Sequence, residues 1–163
     1  MTDRAQPTSP ADDGRAAPPP AAGLAPPAPV HLRVTSEPAE IAGVRKAAEA
    51  YATAAGFDDA AVAEIGLVVN EAMANVIRHA YGNAPGRPIE FDADLTPDAD
   101  PTLRLRLRDW GTGRMPGRGR GYIPGVPGGL GLVCLREMTN GVEYEPQPGG
   151  GMLLTLTKRR GRR

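Results

Sequence analysis

Two neighbouring segments leave this chain few options. Ile89, Phe91, Ala93 and Leu95 alternate with Glu90, Asp92 and Asp94, and Leu103, Leu105 and Leu107 alternate with Arg104, Arg106 and Arg108. A period of two marks strands with one dry and one wet face. The short Thr96–Pro101 connection makes them an antiparallel hairpin, with three acids set beside three arginines on the wet side. A sheet dry on one face needs one covering layer, so helices on a single side are the economical architecture. The arginine stripe reads as a cross-strand charge ladder; a phosphate-binding surface is the other reading.

The remaining pattern supplies that layer. Val30, Leu32 and Val34 form a further alternating strand, and Ser36 is placed to cap a helix carrying Ile41, Val44, Ala48 and Tyr51 until Gly56. Asp58 or Asp59 caps a longer helix, in which Val62, Ile65, Val69, Ala72, Val76 and Ala80 recur at spacings of three and four. A short helix over Leu130–Met138 follows, then strands around Val142–Tyr144 and Met152–Leu156. The order β, α, α, β, β, α, β, β predicts an α+β two-layer sandwich with a mixed, mostly antiparallel sheet and helices on one face.

Composition bounds the rest. Nineteen basic and nineteen acidic residues cancel, which disfavours a globally basic nucleic-acid binder, and the 4% aromatic content leaves few stacking platforms. One cysteine, Cys134, permits neither an intrachain disulfide nor a cysteine zinc cage, and it reads as a core residue. A basic start followed by an apolar stretch is lacking, so the expectation is a cytoplasmic protein without direct nucleic-acid or membrane binding. Residues 1–29 hold eight proline and eight alanine residues and are expected to be a disordered tail, with the folded domain at 30–158 and a basic tail at 159–163.

Three features depart from simple core patterning. Glu64, Glu71, Asn75 and Arg78 share one strip of the long helix, which a solvated face would also show. Asp109 keeps the parity of Leu103, Leu105 and Leu107, so its carboxylate points to the dry side, where it needs a donor from a partner or a ligand. From Gly111 to Gly131, nine of twenty-one residues are glycine, interspersed with Arg114, Arg118 and Arg120, as in a lid that runs into the N-terminus of the short helix. Gly117-x-Gly119-x-Gly121 only imitates a dinucleotide fingerprint, because no strand-to-helix turn surrounds it.

Taken together, these segments resemble the anti-sigma factor serine/threonine kinases of the GHKL ATPase superfamily. Glu64–Tyr81, with Glu71-Ala72-x-x-Asn75 and His79-x-Tyr81, is similar to the asparagine box. Asp109-Trp110-Gly111-Thr112-Gly113 is similar to the D-x-G-x-G box, and Gly129-Leu130-Gly131-Leu132 to the second glycine box. The resemblance implies the Bergerat ATP-binding fold, ATP with Mg2+, Asn75 on the magnesium and Glu71 as general base. It further implies Asp109 on the adenine amine, Gly111 and Gly113 shaping the adenine pocket, and Gly129, Leu130, Gly131 and Leu132 along the phosphates. Implied too are phosphorylation of a STAS-domain antagonist, sequestration of a sigma factor and a homodimer. Two positions depart from the pattern: Met152 stands where many members have threonine, and Pro127-Gly128 where many have a basic or polar residue. An ATP-binding module that sequesters a partner without catalysis is the alternative.

Overall fold

The computed structural model describes residues 26–98, 101–112 and 129–160. The Pro/Ala tail up to residue 25, Gly113, the rest of the expected lid at 114–128 and residues 161–163 lie outside these. In chain order the elements are β1 (Val30–Thr35), α1 (Glu40–Ala54) and α2 (Asp59–Asn75), which continues into a π-helical turn (Val76–Ala80). Then follow β2 (Pro88–Leu95), β3 (Thr102–Asp109), α3 (Gly129–Glu137), β4 (Gly141–Pro146) and β5 (Met152–Arg159).

The strands form one sheet in the order β1-β2-β3-β5-β4, and all four pairings are antiparallel. Ile89, Phe91, Ala93, Leu103, Leu105, Leu107 and Leu156 are buried on one face, in a single hydrophobic cluster with Val44, Ala48, Tyr51, Ile65, Val69, Ala72 and Met73 from the helices. Burying a side chain of this size contributes about 1.5–3 kcal/mol, so the two layers stabilise each other. The 22-residue run Asp59–Ala80 is long and apolar enough to cross a membrane by length and composition alone. Here its apolar arc is spent on the core instead, and it packs against α1 and α3.

The helix boundaries follow from local chemistry, with one exception. The Asp58 side chain accepts from the Ala61 N–H at 2.8 Å, capping α2. After α1, Gly56 at φ +82° donates to Thr53 O and Phe57 donates to Ala52 O, the paired bonds of a glycine C-cap with a buried aromatic beyond it. Ser36 does not cap α1. Its hydroxyl donates to Ala84 O at 2.6 Å and accepts from Arg87 N at 3.0 Å, fastening the end of β1 to the loop before β2.

On the wet face the hairpin register sets Glu90 opposite Arg108, Asp92 opposite Arg106 and Asp94 opposite Arg104. Arg104 grips Asp94 with two bonds of 2.8 and 3.1 Å, and Arg106 reaches the same carboxylate at 3.0 Å. Glu90 pairs with Arg33 instead, while Asp92 bonds His31 at 2.7 Å and keeps Arg106 Nε at 4.0 Å. Arg108 leaves the ladder. Its guanidinium lies 4.4 Å from the Trp110 ring centroid and donates to Gly150 O at 2.8 Å. Surface pairs of this exposure contribute about 0–1 kcal/mol each, so the ladder fixes register more than it stabilises.

Candidate nucleotide site

The site is built where the C-terminal end of α2 meets the C-terminal end of β3. Glu71 and Asn75 both lie in regular α-helix, so they stack on one face with a rise of about 6 Å between them. Immediately after Asn75 the backbone widens: Tyr81 N–H bonds to Val76 O, a spacing of five. Beyond that point the α-helical wheel no longer applies. Arg78, expected on the strip with Glu71 and Asn75, is exposed, and its Nε donates back to Ala74 O. Glu64, at the far end of the strip, is occupied by an ion pair with Lys158 Nζ. Of the four polar residues, the helix therefore presents Glu71 and Asn75 together. The Asn75 side-chain nitrogen is buried without a hydrogen-bond partner among the described residues.

Asp109 is where strand parity puts it, 5% exposed on the helix-covered face of the sheet. Burial pushes its carboxyl above the usual carboxylate range, opposed by the backbone N–H groups of Gly111 and Met152 and by the charge of Arg108. The Gly111 bond is 2.9 Å, from its N–H to Asp109 Oδ1.

Gly111 has a packing reason to be glycine. A Cβ on it would stand 2.3 Å from Ala80 O, so the turn after β3 rests directly on the end of the π segment. Gly151 has a similar one at the turn into β5, where a Cβ would meet Asp109 O at 2.0 Å and φ is +77°. Tyr81 closes the arrangement. Its hydroxyl accepts from Trp110 N–H at 2.8 Å and donates to Pro88 O at 2.5 Å. A cleft of roughly 310 Å³ opens here, lined by Ala80, Tyr81, Ala84, Arg87, Pro88, Trp110, Gly111 and Thr112. The sequence reading missed both Tyr81 and Gly151; the His79-x-Tyr81 and Gly149–Gly151 runs were the available signals. Gly129, Leu130, Gly131 and Leu132 form the first turn of α3, which packs against α2.

The histidine kinase-like ATPase domain family matches residues 34–158, which span every site element just described. The chain belongs to that family. Membership of an ATPase family implies ATP binding, and the five-stranded sheet with helices on one face is the α+β architecture of GHKL ATP-binding domains. Among solved structures, that of the RsbU and RsbW domains of Rv1364c from Mycobacterium tuberculosis contains a similar fold, with a TM-score of 0.59 and 21% identity. That likeness covers 82% of this chain and 32% of the Mycobacterium protein's chain. No curated protein matches the sequence.

The residues present fit a magnesium nucleotide. The Asn75 amide nitrogen, buried with no partner among the described residues, has N–H groups to offer a phosphate, and the same amide carries a carbonyl oxygen of the kind a hard cation takes. Glu71, half-buried one helical turn earlier, brings a carboxylate to the same face of the helix. A nearly buried Asp109 offers an acceptor to an amine on a flat base.

Proposed function

We propose that the protein is an ATP-dependent protein serine/threonine kinase that acts as an anti-sigma factor in the cytoplasm, phosphorylating a STAS-domain antagonist and sequestering a sigma factor. The observation that carries the reading is the buried Asp109 carboxylate, held at the glycine turn that rests on the end of the helix bearing Glu71 and Asn75. The Mycobacterium structure, which joins RsbU and RsbW domains, supports a place in a regulatory switch of this kind.

In this reading Asp109 accepts a hydrogen bond from the adenine amine, which orients the nucleotide along the sheet edge toward α2. Asn75 would hold the magnesium through its amide oxygen, and the chemistry the metal would supply there is neutralisation of phosphate charge. Glu71 then accepts the proton of the incoming serine or threonine hydroxyl as its oxygen bonds to the γ-phosphorus, the bond from phosphorus to the β–γ bridging oxygen breaks, and ADP departs. The work is mostly positioning, which is why two groups delivered by one helical turn suffice. Gly111 and Gly113 border the adenine side, while Gly129, Leu130, Gly131 and Leu132 lie along the phosphates at the start of α3, where free N–H groups favour anions. The glycine-rich segment 111–131 is the lid, and the active form is a homodimer.

The test incubates the protein with γ-labelled ATP and STAS-domain proteins of the same genome and looks for phosphoserine or phosphothreonine. Label on one of them, lost in Glu71→Gln, supports the kinase. Intact ATP binding and partner capture with no label on any supports the second reading, a sequestering module without catalysis. Met152 favours that alternative, because it puts a thioether where a hydroxyl stands in many members.

A further inference from the structure

The β2–β3 ladder stops one rung early, and a side chain takes the missing rung. Ile89 pairs with Asp109, so the same register would set Pro88 opposite Trp110. Instead the Tyr81 hydroxyl stands between them, accepting from Trp110 N–H and donating to Pro88 O. Asp109 is thus flanked on one side by a true ladder pair and on the other by a bridge through Tyr81. The next residue, Gly111, supplies the N–H that orients Asp109 Oδ1 and rests against the carbonyl of Ala80, the neighbour of Tyr81.

Resting on the adenine assignment above, we infer that Tyr81 is a positioning residue for base recognition: through Trp110 N–H it holds the turn that aims the Asp109 carboxylate, and so sets the preference for a 6-amino purine. The Tyr81 hydroxyl is taken up by two backbone groups. It acts through the backbone, and it is carried by the segment that follows Asn75, so the metal end and the base end of the site share one support. Without the hydroxyl, Trp110 N–H and Pro88 O both lose their partner. The turn relaxes, and the Gly111 N–H moves off Asp109.

The test compares the affinities of full-length protein for ATP and for inosine triphosphate, which carries a carbonyl where adenine has its amine, by titration calorimetry. The parent prefers ATP. In Tyr81→Phe the ATP affinity falls about tenfold, the scale of one hydrogen bond to a group that sets a charged acceptor, while the inosine triphosphate affinity holds, so the preference collapses. A Tyr81→Phe protein with the parental ratio, even if both affinities drop together, would overturn the inference. A parent that binds both nucleotides alike overturns the adenine assignment of Asp109 itself, and with it the role of Tyr81.

Discussion

Gly151 lies against the backbone of Asp109 so closely that a Cβ on it would stand 2.0 Å from the Asp109 carbonyl oxygen. Its neighbour Gly150 has an equally left-handed φ of +94° but open space around it. The pair separates two effects. Gly150→Ala should lower stability only by the conformational penalty, about 1–2 kcal/mol. Gly151→Ala adds a backbone clash beneath the carboxylate, and should lose more stability in chemical denaturation and also weaken ATP binding. Equal losses in the two variants would remove the proposed support beneath Asp109.

Asp109→Asn should weaken ATP binding about 10- to 100-fold, the range for losing a hydrogen bond to a charged group, measured by calorimetry at neutral pH. The free protein should respond in the opposite sense. Because burial raises the folded carboxyl above its unfolded value, the proton it holds stabilises the fold at low pH, and that contribution is lost as pH rises through the folded pKa. Asn removes this loss, so the unliganded variant should exceed the parent in melting temperature at neutral pH, with the gap closing on acidification. Parent ATP affinity should fall over the same acid range, since a protonated carboxyl is a weaker acceptor for the base's amine than a carboxylate.

Glu71→Gln should leave nucleotide affinity within a few fold and reduce phosphotransfer by about 10²–10⁴-fold, the usual share of a general base. Single-turnover assays with a phosphorylatable STAS partner separate the two quantities. A variant as active as the parent would remove Glu71 from the chemistry.

Asn75→Ala should abolish the magnesium dependence of ATP binding without destabilising the free protein, because the buried amide nitrogen has no partner among the described residues to lose. Calorimetry with and without magnesium, alongside a melting curve, checks both halves.

Much of this was legible in the residues. The parity of Asp109 with Leu103, Leu105 and Leu107 placed a carboxylate on the dry face, and a period-two pattern has no other solution once one face is buried. The spacing of Glu71 and Asn75 was readable because the helix is still regular there. What escaped the sequence depends on contacts between distant segments or on irregular backbone. Ser36 has the chemistry of a helix cap, yet a loop 48 residues later competes for its hydroxyl and wins. Arg108 has an acid opposite it in register but turns to an indole and a carbonyl in the β4–β5 turn. No residue pattern announces the widened turn that begins at Val76. The Tyr81 hydroxyl finds its two partners only once β2 and β3 have paired.

Trp110 is the chain's one tryptophan, 40% exposed, adjacent to Asp109 in sequence and stacked on the Arg108 guanidinium. A single indole at that position makes the protein its own optical probe. Its emission responds to the polarity and charge around the turn after β3, with no second tryptophan to dilute the signal, so a nucleotide bound beside Asp109 should change it in unlabelled protein while a partner is added.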